Sequence, residues 1–527
     1  MGFDSLPTET GVLVVGGGPV GLVAAILLTG LGIDTVVVER REGPQEAPAA
    51  HVVNARTFEI LRAAGVDMDA IEAACRPPSD GWVRWSTALD GVDIGVVPFE
   101  GQDRIDSLYD VTPTPLRNLS QHRLEPILRT HVDGLVGGVE WVSSVEDGDG
   151  VTSTLRDVAS GETTTVRSRW LIGADGGRSS VRRAVGIEMN GPDRLQAFVN
   201  IHVDADLRHL VGDRPATLYW MADPSIGGVY VAHDIDGTWS YMHPWDPTTE
   251  TIADYTPERC EALFRRGILG DTGPLVVRTI APWSMSCQVA TTYRSGRTLL
   301  IGDAAHRFPP TGGMGLNTGV VDAQNLAWKL ALVERGVGLA EPLLDSYDAE
   351  RRPIASANAD QSLRNAFKLI EVALALGADP DPVVSKEHYD QAVASEEALA
   401  AARLAAEGQA EHFDMIGLQL GFTYEAESGF VVDDGTPSDL PDDAVRDYSP
   451  STRPGGRLPH AWVARDGVRI STLDLVPLDR FVLVTASPAW ADAARSVQAQ
   501  LHEPLLEVIL VGVDVIDTDG SWTSVAG

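Results

Sequence analysis

A short apolar run, Val12 to Val15, opens directly into Gly16-Gly17-Gly18-Pro19-Val20-Gly21 and then a helical pattern from Leu22 to Leu31. A second β-branched run, Thr35 to Val38, ends in Glu39-Arg40. Few folds accept strand, GxGxxG, helix, strand and acid in this order; it is the βαβ unit that binds a dinucleotide. Gly16 makes the turn, Gly18 lets backbone approach a pyrophosphate, and Gly21 allows close packing. Pro19 and Val20 lie at the helix N-terminus, where the pyrophosphate sits. Glu39, 18 residues beyond Gly21, is placed to accept hydrogen bonds from the adenosine ribose.

Two later stretches share this strand-then-loop form. Trp170-Leu171-Ile172 leads through Gly173-Ala174 to Asp175-Gly176-Gly177-Arg178 and a helix, and Leu299-Leu300-Ile301 leads to Gly302-Asp303. The second continues through Pro309-Pro310 and Gly312-Gly313-Met314-Gly315-Leu316-Asn317 into a helical pattern from Val320 to Val333. A carboxylate, a proline- and glycine-rich loop and a helix N-terminus suit a large polar ligand held by its hydroxyls. Each carboxylate has a plainer alternative. Asp303 can cap a helix, and Asp175-Gly176 can simply form a turn.

At 527 residues the chain holds two or three domains. A formal charge of −34 argues against nucleic acid or an anionic membrane as partner. The three cysteines, Cys75, Cys260 and Cys287, follow no CxxC or zinc-ligand spacing, which fits a cytoplasmic protein without a metal site. No signal peptide or membrane span is legible near the N-terminus.

Between Ala197 and Pro282 the texture changes to short strand-like runs rich in Tyr219, Trp220, Tyr230, Trp239 and Tyr241. They predict a mostly antiparallel sheet inserted into the dinucleotide domain, some of its aromatic residues lining a pocket. The expected division is 1–196 with 283–432, a sheet domain at 197–282, a linker at 433–456 and a small α/β domain at 457–527.

Together, Gly16-to-Gly21, Asp175-Gly176 and Gly302-Asp303 resemble the signature set of the class A, FAD-dependent aromatic hydroxylases. Asn54-x-Arg56-Thr57, Ser120-Gln121, Trp328-Lys329-Leu330 and Glu350-Arg351-Arg352-Pro353 fit the same pattern, closest to the phenol, dichlorophenol and polyketide hydroxylase branch. The resemblance implies an α/β (α+β) architecture: a Rossmann-type FAD-binding domain, an inserted antiparallel substrate sheet and a C-terminal thioredoxin-like domain. That last domain has no cysteine after Cys287, so thiol chemistry is excluded and a packing or homodimer-supporting role is left. Members of the branch continue past Trp522 into a further strand and an Arg-containing tail; stopping at Gly527 is a departure that bears on the completeness of this domain.

The resemblance also implies roles. Gly16, Gly18, Pro19, Val20 and Gly21 hold the FAD pyrophosphate, Glu39 the ribose, and Arg40 lies near the adenine. Gln121 contacts the flavin end and Asp303 the ribityl chain. Pro310, Gly315, Leu316 and Asn317 form the loop and helix start at the flavin edge, and Asp175 with Arg178 supports FAD and NAD(P)H. No second complete GxGxxG exists, in keeping with NADH or NADPH binding only transiently. The implied reaction is hydroxylation of a phenolic ring by NAD(P)H and O2 through a flavin C4a-hydroperoxide. His51, just before the Asn54 segment, is the candidate base, with a loop hydrogen bond as its alternative; Tyr219, His233 and Asp234 are weaker candidates. Two other readings use the same apparatus: a polyketide-tailoring oxygenase (hydroxylation, epoxidation or Baeyer–Villiger insertion) and a non-catalytic flavin- or aromatic-ligand-binding protein.

Overall fold

The computed structural model describes residues 2–99, 104–437 and 440–526, so Gly527 and residues 438–439 of the expected linker lie outside it. Buried apolar runs pair into an eight-stranded sheet. At its centre Glu9–Val15 lies parallel to Thr35–Glu39 on one side and to Thr163–Gly173 on the other. Leu135–Gly137 and Thr298–Leu300 extend the parallel array outward in the two directions. Chain order therefore reverses beside Glu9–Val15, which makes this the topological switch point where open α/β sheets bind ligands. All parallel strands end on one edge, so the loops after Val15, Glu39, Gly173 and Leu300 meet there. The hairpin Val139–Asp147 and Gly150–Asp157 forms as its Gly148-Asp149-Gly150 turn predicts.

A separate seven-stranded sheet contains Gln196–Ala205, Leu218–Met221, Val229–Asp234, Thr238–Trp245 and Leu275–Met285. Its two remaining strands, Trp82–Ser86 and Asp93–Pro98, come from the stretch assigned to the dinucleotide domain. Trp82–Ser86 pairs parallel to Leu218–Met221, the one parallel contact in an otherwise antiparallel sheet. One face packs on the helix Pro257–Arg266 through Tyr219, Tyr230, Trp239 and Tyr241. Along the strands, alternate residues turn to the other face. There Asn200 opposes Met242 and His202 opposes Ser240.

The helix read as starting at Val320 in fact runs Met314–Glu334. Gly315 and Gly319 lower helix propensity, and tertiary packing requires the second: a Cβ on Gly319 would lie 2.7 Å from Val20 and 2.8 Å from the Gly302 backbone. After long helices up to Phe413, residues 457–526 form a strand pair Trp462–Arg465 with Val468–Ser471 and a parallel pair Phe481–Thr485 with Leu506–Leu510, flanked by helix Pro488–Gln498. Among the described residues no helix is long and apolar enough to cross a membrane.

Candidate active site

The glycine turn closes tightly. Gly16 has φ 113°, and a Cβ there would sit 2.3 Å from the Ala174 carbonyl of the neighbouring strand end. A Cβ on Gly21 would meet the Gly16 carbonyl at 2.0 Å, so Gly21 lets the turn fold onto itself. Gly18 faces open space, with nothing within 4 Å of a Cβ position, and the helix Pro19–Gly30 begins next to it. This is a cradle that a phosphate group would fill.

Glu39 accepts hydrogen bonds from the Gly17 amide (2.8 Å) and from the Arg41 amide (3.0 Å) and guanidinium (3.1 Å). Burial pushes its carboxyl up, but the Arg41 and Gly17 amides and the Arg41 charge outweigh this and hold it below the usual range. The partner of Glu39 is thus Arg41, while Arg40 is exposed. Both neighbours were available in sequence; strand alternation turns residue 40 outward.

Asp303 is the unusual group. Solvent reaches its side chain, yet protein surrounds it so closely that burial raises its carboxyl above the usual range despite His306 and Arg307. It lies on the wall of a cleft, 3.7 Å from the Cβ position of Gly315 at the start of helix Met314–Glu334. No side chain caps that helix, whose N-cap Gly313 has φ 62°. Among the described residues Asp303 has no hydrogen-bond partner, so the capping alternative is not what the side chain does. An unpaired carboxylate beside open helix amides matches a ligand with hydroxyls next to a group that develops negative charge.

The loop carrying Asp303 is fixed from behind by Asp322, fully buried in the same helix. Its carboxylate accepts from the Gly302 amide (3.2 Å), His306 Nε2 (2.8 Å) and Arg351 Nε (2.9 Å). Burial disfavours the charge, but His306 and Arg351 outweigh it and hold the carboxyl low. Asn317 staples the His51 segment to the helix start. Its Oδ1 accepts from the Asn54 amide (3.0 Å) and Thr57 Oγ1 (2.8 Å), and its Nδ2 donates to the carbonyls of Val52 and Gly313.

His51 projects beside this staple. Its Nδ1 lies 3.2 Å from Asn118 Oδ1, and the Asn118 amide nitrogen faces the Ala232 carbonyl at 3.4 Å. That orientation makes Nδ1 the donor and leaves Nε2 as a free acceptor. Burial lowers its pKa to about 4, so the ring is neutral. It meets the His233 ring edge-on at 5.6 Å.

Comparison with known proteins decides what this cleft is for. The family model described as FAD binding domain matches residues 9–362. The chain belongs to this family. It is 35% identical to 2,4-dichlorophenol 6-monooxygenase of Cupriavidus pinatubonensis (strain JMP 134 / LMG 1197), covering 94% of this chain and 86% of that one. It is 32% identical to tetracenomycin A2 monooxygenase-dioxygenase of Streptomyces glaucescens, covering 98% and 90%. The solved structure of the flavin-dependent monooxygenase PieE, in complex with FAD and substrate, superposes with a TM-score of 0.90 at 34% identity, covering 98% of this chain and 92% of that one. The protein is a flavoprotein monooxygenase with FAD as cofactor and NAD(P)H and O2 as co-substrates, and the α/β architecture read from sequence is that of its relatives.

The remaining candidates of this monooxygenase are dispersed. Tyr219 packs on Trp239 in the face turned to helix Pro257–Arg266 and donates to the Arg214 carbonyl, so it is removed from the cleft. His233 is buried with Nδ1 on Ser120 Oγ (2.6 Å) and Nε2 on Ser240 Oγ (3.1 Å), leaving no ring nitrogen for a substrate. Asp234 is an ion-pair clamp, binding Arg76 at 2.6 Å and Arg123 at 2.5 Å, and it ties the sheet to helix Gln121–Arg129. Asp175 Oδ2 accepts from the Ser180 and Val181 amides, the turn-and-cap arrangement, while its Oδ1 is buried without a partner. Arg178 and Pro310 are exposed at the rim, and Gln121 reaches the seam with its side-chain amide unpaired among the described residues.

Sequence reasoning missed Asp322 altogether. The signal was present: a lone carboxylate inside Val320-Val321-Asp322-Ala323 cannot be buried without a counter-charge.

Proposed function

We propose that this monooxygenase hydroxylates a phenolic ring held between the N-terminus of helix Met314–Glu334 and the seven-stranded sheet. FAD, when bound, would carry electrons from NAD(P)H to O2 and deliver one atom of that O2 to the ring. Gly16, Gly18, Pro19, Val20 and Gly21 would hold its pyrophosphate, Glu39 its ribose, and Asp303 its ribityl hydroxyls. Gln121 and the Leu316 and Asn317 amides would meet the flavin. The observation that carries the substrate assignment is His51, neutral, anchored through Nδ1 and offering Nε2.

Magnitudes define what His51 does. A free phenol has a pKa of about 10 and His51 about 4, so prior ionisation would cost roughly 8 kcal/mol. His51 therefore accepts a hydrogen bond from the substrate hydroxyl at rest. It takes the proton only as oxygen adds to the ring and the hydroxyl turns strongly acidic. Asn118 keeps the tautomer fixed while this happens.

The domain division and the thioredoxin-like character of residues 457–527 belong to the same proposal, as do a cytoplasmic location, a homodimer and the absence of a nucleic-acid partner. The test is to purify the protein, record its visible spectrum, and follow NADPH or NADH oxidation and oxygen uptake across a panel of phenols. A yellow protein with phenol-stimulated oxygen uptake and a hydroxylated product is expected; uptake insensitive to every phenol would sink the assignment. A multi-ring polyketide substrate is the second reading, favoured by the similarity to the tetracenomycin A2 enzyme.

A further inference from the structure

Three polar side chains at the seam between the sheet and helix Gln121–Arg129 take no part in the arrangement above. His202 is only 7% exposed, yet neither ring nitrogen has a hydrogen-bond partner. Asn200, two residues along the same strand and on the same face, has its Oδ1 buried and unpaired. His122, from the first turn of the facing helix, has Nδ1 buried and unpaired, and its ring meets His233 edge-on at 6.1 Å. His233 in turn meets His51, so this cluster is two ring contacts away from the proposed reaction point.

Leaving a buried polar atom unpaired costs about 1–3 kcal/mol. Four such atoms, on residues from two elements that meet at this seam, have no partner within the protein. The chemistry of the occupant follows from the donors and acceptors. Burial lowers His122 to about 4 and lowers His202 as well, so both rings are neutral and each offers one donor and one acceptor. Asn200 Oδ1 only accepts. Asp204 Oδ1, 3.8 Å from His202 Nε2, disfavours an added carboxylate. A neutral hydroxyl can donate to Asn200 Oδ1 and accept from one ring N–H each of His202 and His122, which pairs three of the four atoms.

We propose that Asn200, His202 and His122 form a subsite for a second hydroxyl of the substrate, on a ring remote from the one hydroxylated. This selects fused polyhydroxy-aromatic substrates over single-ring phenols. It deepens the proposed function and rests on it.

The test uses the FAD-loaded full chain and two ligand pairs that differ only in a remote hydroxyl: 1-naphthol with naphthalene-1,5-diol, and 1-hydroxyanthraquinone with 1,5-dihydroxyanthraquinone. Dissociation constants are read from perturbation of the flavin spectrum. In the wild type the dihydroxy member of at least one pair binds about fivefold tighter, the size of one net hydrogen bond. Asn200→Ala and His202→Gln, each with wild-type flavin content and melting temperature, bring that ratio to about one. Equal affinities within both pairs in the wild type overturn the subsite, and this comparison needs no variant. A ratio unchanged in both variants overturns it too. If none of the four ligands perturbs the flavin or stimulates NADPH oxidation while single-ring phenols do, the subsite fails and the phenol reading stands. If no phenol of any size does so, the proposed function itself fails.

Discussion

At the scale of single residues, Asp303 and His51 carry opposite costs. Asp303 sits in a setting that disfavours its charge, and the nearby His306 and Arg307 offset only part of that burial cost. Its raised folded pKa means that the flavin-free protein loses stability as pH rises from the ordinary carboxyl range through the folded value. Asp303→Asn should therefore raise the melting temperature of the flavin-free protein at pH 7 and weaken FAD binding at least tenfold, measured by thermal denaturation and flavin fluorescence. A variant that binds FAD like the wild type would remove the ribityl role. His51, with its pKa at about 4, is fully neutral across the working range. Turnover of the phenol substrate should show no limb near pH 6.5 and stay flat from pH 6 to 8. His51→Ala should lower kcat by about 10²-fold while keeping its flavin, the usual size of a lost acid–base group. Asp303 was legible in sequence because its strand, glycines and following helix surround it in order. The depressed pKa of His51 was not, since it comes from burial beside Asn118 and His233, which lie 67 and 182 residues later in the chain.

At the scale of elements, the cleft depends on one helix and what braces it. Asp322 and Arg351 form a buried pair linking helix Met314–Glu334 to helix Ala340–Lys368, and the same carboxylate holds the Gly302 amide. Lys329 and Glu350 make a second buried pair between the two helices at 2.6 Å. Removing one partner strands the other: Arg351→Met leaves Asp322 with only His306 and the Gly302 amide, and Asp322→Asn leaves Arg351 without its carboxylate. Each should cost about 3–5 kcal/mol in urea unfolding, and the double variant less than the sum. Additive losses would show that the two side chains do not act as a pair. Both strands leading to the glycine loops were readable from their β-branched runs. The first six residues of helix Met314–Glu334 were not, because Gly315 and Gly319 look like loop residues until the Gly302 backbone is seen to pass against Gly319.

At the scale of the whole molecule, the segment after residue 456 is joined to the dinucleotide-binding part by charge as well as by packing. Arg457, buried, binds Glu59 and the Val111 carbonyl, and Thr112 Oγ1 adds a third contact to the Glu59 carboxylate at 2.7 Å. Arg62 reaches Asp474, and Arg335 reaches Glu503. Burial raises the Glu59 carboxyl, but Arg457 and Arg56 outweigh it, so its pKa is lowered. His460 in the same seam is held near 4 by burial, as is His51 in the cleft, and His412 is held near 3. All four shifts have one sign. Each folded pKa lies below its unfolded value, so each stabilising contribution is complete at neutral pH and is lost as pH falls. The histidines begin to lose theirs below about 6.5, and Glu59 only below its ordinary value of 4.5. At pH 5 each of the three imidazoles should have given up about 2 kcal/mol, a combined loss of about 6 kcal/mol. That is comparable with the entire stability of many domains. The melting temperature should therefore drop by about 5 °C between pH 7 and pH 5, before the carboxylates titrate. His412→Gln, which removes a buried imidazole that among the described residues has only Phe413 stacked on it, should make the decline shallower. A melting temperature constant over this interval would mean that these histidines are solvated in the folded protein, and that His51 is not the weak, buried acceptor on which the proposed chemistry depends.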